Sequence, residues 1–208
     1  MKKLFLLLLT IMVLFAGSAE AAKKVPGTPV PSDYGCRGVM LGEKFDSETV
    51  EKKIKKKLLF DNDRAIFGQR IKFYTFKDGY VFGVDTDNNI VDIAIKDHDY
   101  IGRDGLRYGA TMAKIRRVLG EVDRQFIEGV TWLIFPREGK PEERLMLEQD
   151  VDTRTLYSWR ITSLPLTEEE AAKREGHDDE WESNDLNAVN MRVTNRGFQP
   201  RFKIHYRN

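Results

Sequence analysis

The chain has 208 residues, with 34 Lys and Arg against 33 Asp and Glu, and 41% of its residues are hydrophobic. This balance excludes a disordered or fibrous chain and a protein that coats nucleic acid through bulk charge. The length is enough for one compact domain or two small ones without disulfide staples. Cys36 is the single cysteine, so no intramolecular disulfide can form, and we expect a buried thiol near the start of the domain.

The beginning of the chain has the pattern of a secretory signal peptide. Lys2 and Lys3 form a basic start, residues 4–15 are apolar except for one threonine, and Ala19-Glu20-Ala21 fits a small-x-small cleavage site. The apolar run is shorter than the roughly 20 residues that a membrane-spanning helix needs. We therefore expect residues 1–21 to be removed, which leaves a periplasmic or secreted protein with no membrane span in the mature chain.

Two features between residues 15 and 33 concern membrane anchoring and the start of the mature chain. Phe15-Ala16-Gly17-Ser18 resembles the box that directs bacterial lipid attachment, but a serine stands where the acceptor must be a cysteine. We therefore expect no lipid anchor. Residues 22–33 contain three prolines, which favour extended backbone, and this segment is predicted to be a proline-rich linker.

Comparison of the chain with itself predicts a divergent tandem repeat. Gly38–Gly42 and Gly105–Gly109 share the pattern Gly-x-x-[Leu/Tyr]-Gly. The glycine pattern recurs after 67 residues, and the aromatic run at residues 73–76 recurs in the same order after 59 residues, at 132–135. The predicted units are repeat 1, residues 34–100, and repeat 2, residues 101–164.

Within each unit the local patterns predict a helical segment followed by a three-stranded antiparallel meander. Val50, Ile54 and Leu58 lie at helical spacing in the first unit, and Thr111 and Gly120 are suited to cap and end the second helix. Runs of β-branched and aromatic residues between turn residues predict the strands. The predicted fold class is α+β. The predicted strands are residues 71–76, 80–84 and 90–95 in the first unit and 130–135, 145–149 and 155–161 in the second.

Residues 165–208 are predicted to form a C-terminal extension. Thr167 and Glu170 make a capping box that opens a short helix through about Arg174. An acidic loop at 176–185 and two strands at 188–194 and 202–206 are expected to follow.

The order of these features resembles the superfamily that contains the β-lactamase inhibitory protein and the small outer-membrane assembly lipoproteins. The glycine pattern, a capped helix ending in Leu119-Gly120, an aromatic strand and an Asp-rich hairpin carry the resemblance, which covers Gly38 to Ile161. The tandem arrangement is more similar to the inhibitory protein. The resemblance implies a non-catalytic exported module that grips another protein. The chain departs from it in lacking both a lipid-acceptor cysteine and the disulfides associated with the inhibitory branch.

No complete catalytic or metal-binding motif is present. The histidines His98, His177 and His205 have no companion residues that would build a nucleophilic or zinc site. His98 stands between two aspartates, so a metal ligand is the alternative to a solvated loop residue. The Asp85–Asn89 turn opens like a calcium loop but lacks the glycine and glutamate that the motif requires further on. We therefore predict no enzyme, no cofactor and no metal site.

Aromatic strand residues and one lysine-rich helix supply the candidate binding residues. An open sheet face that carries Tyr and Trp would offer contact area to a protein, whereas burial in a core is the alternative for each residue. We expect an exported, non-catalytic protein-binding module whose partner is an envelope or extracellular protein, with no binding of nucleic acid. The alternative function is a periplasmic protein that binds a small ligand or a metal. The candidates are Tyr74, Tyr157 and Trp159, with Lys52, Lys53 and Lys56 as an accessory charged patch.

Overall fold

The structure, a computed structural model, describes residues 27–122 and 124–174. The predicted signal peptide, the first part of the predicted linker, and the acidic loop and strands predicted after residue 174 lie outside the described residues. The rest of the predicted linker lies against the body of the protein. The amide of Gly27 donates to the Arg117 carbonyl oxygen at 3.2 Å, and Arg103 Nε donates to the Asp33 carboxylate at 3.2 Å.

Ten β-strands, three α-helices and three short 3₁₀ helices make up the regular structure of the described residues. None of these helices is long and apolar enough to cross a membrane. The helices are α1 (Ser47–Ile54), α2 (Met112–Leu119) and α3 (Glu168–Arg174). The strands are β1 (Gly35–Cys36), β2 (Val39–Met40), β3 (Leu58–Ile66), β4 (Gln69–Phe76), β5 (Tyr80–Val84), β6 (Ile90–Ile95), β7 (Arg124–Ile127), β8 (Val130–Arg137), β9 (Lys140–Gln149) and β10 (Leu156–Thr162).

Local capping explains where the two longer helices begin and end. The Asp46 carboxylate accepts a hydrogen bond from the Thr49 amide at 2.9 Å and so satisfies one of the free amides at the start of α1. The Thr111 hydroxyl does the same for α2, and Gly120 ends that helix with a φ of 94°. The predicted cap at Thr111 and the predicted stop at Gly120 are confirmed.

Strands β3 to β10 form one eight-stranded antiparallel sheet in the order β3-β4-β5-β6-β10-β9-β8-β7, and β1 and β2 form a separate hairpin. Tight two-residue turns close the outer hairpins. Phe67-Gly68 joins β3 to β4 and Glu128-Gly129 joins β7 to β8, with positive φ at all four residues. Such turns match the twist of paired strands. At the centre of the sheet β6 pairs with β10.

The predicted fold class, an α+β protein of two tandem helix-plus-meander units, is wrong. The chain is mostly β, and its long strands join in one eight-stranded sheet instead of two separate three-stranded meanders. The prediction missed the two edge strands, β3 and β7. Leu58, assigned to the first helix, is the first residue of β3, which continues through polar residues such as Asp61 and Asp63. An edge strand with much of its surface in water shows no apolar alternation, so its sequence did not indicate a strand.

Helices α1 and α2 pack on one side of the sheet, which we call the helix-covered face. Tyr80 and Phe82 of the sheet are fully buried there, and Ile54 and Ile115 reach the same core from the two helices. Cys36 also lies in this core, and burial raises the pKa of its thiol to about 12. The expected burial of this cysteine is confirmed.

The other side of the sheet combines apolar side chains such as Met146 with polar and charged ones, and we call it the polar face. Alternate residues of a strand point to opposite sides, so Ser158 and Arg160 of β10 lie opposite the core residue Trp159. Arg160 Nε donates to Asp92 Oδ1 at 2.8 Å, and Ser158 Oγ donates to the Glu148 carboxylate at 2.5 Å. These polar side chains therefore satisfy each other's hydrogen bonds in pairs.

Candidate protein-binding surface

Three aromatic rings meet at the surface, two from the segment between β6 and α2 and one from β10. The rings of His98 and Tyr108 stack with centroids 3.8 Å apart and planes 19° apart. The Tyr157 ring lies 6.0 Å from Tyr108 and 6.2 Å from His98. All three side chains are exposed, Tyr108 to 40% and Tyr157 to 37%. We call these three residues the aromatic cluster.

Backbone hydrogen bonds hold the two tyrosines of the cluster in place. Tyr108 lies in the loop before α2, and this loop is fastened to the start of β10. The amide of Gly109 donates to the Leu156 carbonyl at 2.8 Å, and the Leu156 amide donates to the Ala110 carbonyl at 2.9 Å. A β-bulge just after Leu156 shifts the register of β10, and Tyr157 is the residue that it leaves out of the pairing. The bulge explains why this tyrosine is exposed.

The third member, His98, follows a buried carboxylate. Asp97 accepts hydrogen bonds from the Asp99 amide and the Tyr80 hydroxyl, each at 3.0 Å, and Lys56 Nζ lies 3.4 Å away. Burial tends to raise the pKa of Asp97, but these hydrogen bonds and the Lys56 charge outweigh it and lower that pKa. The ionised carboxylate therefore fixes the turn from which the His98 ring projects.

The three candidate lysines have different surroundings. Lys56 donates to Asp78 at 2.5 Å, which raises the pKa of Lys56, and it also contacts Asp97, the residue before His98 of the aromatic cluster. Lys53 donates to the Gly38 carbonyl at 2.6 Å. Lys52 makes a 3.8 Å ion pair with Glu48, and both side chains are largely in water. Only Lys56 is tied to the same network as the cluster, and Lys52 and Lys53 belong to the solvent side of α1.

The three candidate aromatic residues also differ in their exposure to solvent. Tyr74 is half-buried, with its ring stacked on Phe45 at 4.1 Å. Trp159 is only 4% exposed and meets the edge of Tyr100 at 5.1 Å, so it belongs to the core and offers no surface to a partner. Tyr157 alone of the three lies in an exposed group.

Sequence reasoning missed the ring neighbours of Tyr157. In the sequence, His98 stands out only because aspartates flank it, and Tyr108 is only one position of a glycine pattern. Nothing in the local sequence shows that these two rings stack, because the path of the segment between β6 and α2 brings them together.

The surroundings of the cluster favour contact with a large partner. Tyr157 also lines a shallow groove of about 400 Å³ together with Val151, an apolar side chain that is itself strongly exposed. No three His, Cys, Asp or Glu side chains of the described residues are grouped so as to hold a metal ion. An exposed ring stack beside an open groove supplies contact area and hydrogen-bonding groups.

Comparison with known proteins gives no family for this chain. No protein-family model and no curated protein matches it. Solved structures that resemble it include the uncharacterised protein YfeY from Escherichia coli, with 12% identity and a TM-score of 0.45, over 62% of this chain and 97% of that one. Another is a cysteine-rich secretory protein from Staphylococcus aureus, with 16% identity and a TM-score of 0.41, over 72% of this chain and 51% of that one. These likenesses carry no functional argument, and the resemblance to the inhibitory-protein superfamily stays a prediction.

Proposed function

We propose that this protein is an exported, non-catalytic binding module that holds a partner protein of the cell envelope or the extracellular space through the aromatic cluster. The observation that carries the proposal is the exposed stack of His98 and Tyr108 with Tyr157 beside it. Tyrosine is enriched at the energetic centres of protein interfaces because it brings much contact area at low entropic cost. Export rests on the signal-peptide pattern of residues 1–21.

The rigidity of the cluster supports this role. Tyr108 is fixed by the loop that Leu156 fastens, and His98 by the turn around Asp97. A surface whose side chains are already held loses little conformational entropy when a partner binds. Lys56 makes its ion pairs beside the cluster and contributes to the support of this surface rather than to its contacts.

Site-specific photo-crosslinking tests the proposal. A photo-reactive amino acid replaces Tyr157 in the full chain, and a second version carries it at Phe60, which is 56% exposed on β3 at one edge of the sheet. After irradiation in the envelope and secreted fractions of the native organism, we expect a discrete adduct from position 157 that position 60 does not give.

A double variant, Tyr108→Ser with Tyr157→Ser, then tests whether the rings themselves bind. We expect affinity capture by this variant to lose the protein identified by crosslinking, while its circular dichroism spectrum is unchanged. Equal adducts from both positions, or full capture by the double variant, would show that the aromatic cluster is not the binding surface.

A further inference from the structure

A separate cavity of about 340 Å³ opens on the polar face. The tips of two hairpins enclose it: Ile66 and Phe67 from the β3–β4 turn, and Ile127 and Glu128 from the β7–β8 turn. These hairpins stand at opposite edges of the eight-stranded sheet. Their meeting around one cavity shows that the sheet curls until its two edges approach each other over the polar face.

The floor of this cavity combines apolar side chains with one arginine. Trp132 and Val130 supply half-buried apolar surface beside the buried Met146, and Arg160 pairs with Met146 from the adjacent strand β10. Arg160 is held from below, since its Nε donates to Asp92, whose side chain is 5% exposed. A nearly buried carboxylate thus fixes the orientation of a guanidinium that is itself 31% exposed.

The terminal nitrogens of this guanidinium make no hydrogen bond to any residue that the structure describes. Within residues 27–122 and 124–174, Arg160 donates only through Nε, so Nη1 and Nη2 have no acceptor there. Arg103, which lines another cavity, makes the contrast: its Nη2 donates to the carbonyl oxygens of Thr28 and Val118 at 2.8 Å each. The Nη2 of Arg103 is used within the fold. Among the described residues, Nη1 and Nη2 of Arg160 have no acceptor and can donate to a ligand in the cavity.

We infer that this cavity binds a small amphiphile with a single carboxylate, whose charged end meets Nη1 and Nη2 of Arg160 and whose apolar chain lies against Trp132 and Val130. A planar carboxylate matches the two parallel donors of an arginine fork. One carboxylate is proposed because it can fill the two Nη donors of Arg160, and because Glu128 at the rim would repel any further negative charge. The volume lies at the lower end of the range of about 300–1,000 Å³ for small-molecule sites.

Calorimetric titration of the full chain with three probes tests the inference. Decanoate has both the carboxylate and the chain, decanol has the chain alone, and acetate has the carboxylate alone. We expect decanoate to bind at least about tenfold more tightly than decanol, because a charge-assisted bidentate pair is worth that much. Acetate is expected to give no measurable binding. Absence of decanoate binding, or equal affinities for decanoate and decanol, would overturn the inference.

Variants assign the effect to Arg160. The pair Asp92→Asn with Arg160→Gln removes both charges together, and we expect it to bind decanoate no better than decanol. Arg64→Gln is the matched control, since Arg64 is an exposed arginine of β3 whose guanidinium lies over the Phe73 ring. It should leave the decanoate affinity within about twofold. Full decanoate affinity in the double variant would sink the proposal.

Two more variants keep the test decisive if the double variant folds poorly. Glu128→Gln changes only an exposed rim residue, and we expect it to strengthen decanoate binding by about twofold, as expected for loss of one screened repulsion. A weaker affinity in this variant would contradict the assigned charge preference. Tyr157→Ser should leave decanoate binding unchanged, so failure of the aromatic cluster and failure of this cavity can be told apart.

Discussion

The two faces of the eight-stranded sheet differ both in their chemistry and in how completely they are buried. On the helix-covered face, Phe82 is fully enclosed by other apolar side chains. On the polar face, Asp92 and Ser158 are each 3% exposed, and Arg160 and Glu148 satisfy them. Among the described residues, no buried side-chain nitrogen or oxygen is left without a hydrogen-bond partner. The faces therefore differ in what they bury, and side chains of the polar face such as Thr75 and Arg160 are buried less completely than Phe82.

This difference separates stability from function. Apolar burial under α1 and α2 gives a large favourable free energy that needs no exact pairing. A buried ion pair gives little net stability, because desolvation of its charges offsets their attraction. The buried charges of the polar face thus add little to stability, but they are suited to line a binding cavity. Substitutions on the two faces should separate these roles.

The largest expected effect comes from the helix-covered face. Phe82→Ala removes a fully buried ring that meets Phe76 edge-on at 5.5 Å. We expect the free energy of unfolding to fall by about 3–5 kcal/mol in urea denaturation, from lost apolar burial and the cavity left behind. Thr75→Ala, on the half-buried opposite side of the adjacent strand, is the control and should cost less than about 1 kcal/mol. Similar losses in the two variants would erase the distinction between the faces.

An intermediate effect is expected from the ion pair of the polar face. Asp92→Ala leaves the Arg160 guanidinium without its partner, and we expect a loss of about 1–3 kcal/mol in the free energy of unfolding. The double variant Asp92→Ala with Arg160→Met should be less destabilised than the sum of the two single changes. A coupling energy of about 1 kcal/mol in this cycle would support the pairing. Additive losses would show that the two charges do not depend on each other.

A smaller effect concerns α3, which is attached to strand β9 by the ion pair of Glu170 with Arg144. Burial acts to raise the pKa of Glu170, but hydrogen bonds from Arg144, the Leu166 amide and Arg174 outweigh it and lower that pKa to about 2. The folded-state pKa lies below the ordinary value of 4.5, so the stabilisation is present above pH 4.5 and is lost as the pH falls toward 2. We expect Glu170→Gln to remove about 1 kcal/mol at pH 7, after allowance for solvent screening, and almost nothing at pH 2. Equal losses at the two pH values would contradict this assignment.

The sequence predicted the central strands of the sheet better than its edges. The run predicted at 90–95 is strand β6, and the run at 80–84 is β5, because a strand buried on both sides consists mostly of apolar and aromatic residues. Strands β3 and β7 were not predicted, because one edge of each faces solvent and their side chains are mostly exposed. The joining of all eight strands in one sheet depends on the pairing of β6 with β10, which local patterns cannot show.

The candidate site was predictable only in part. Tyr157 and Trp159 are two positions apart in a strand pattern, so alternation assigns both to one side. The bulge after Leu156 breaks that alternation, and Tyr157 becomes exposed while Trp159 enters the core. A bulge has no reliable sequence signal here, and neither does the stacking of His98 on Tyr108. Composition pointed to aromatic residues as a class, and tertiary structure decided which of them reach the surface.

The smallest effect on stability is expected at the aromatic cluster, and a matched pair of tyrosines measures it. Tyr157→Ser removes an exposed ring, so we expect the free energy of unfolding to change by less than about 0.5 kcal/mol. Tyr74→Ser removes a half-buried ring stacked on Phe45 and should cost about 1–2 kcal/mol. Partner capture should show the reverse order, lost with Tyr157→Ser and kept with Tyr74→Ser. If the two variants were equally destabilised, the cluster would be a support of the fold. A change in binding without a change in stability would mark it as a surface held ready for a partner.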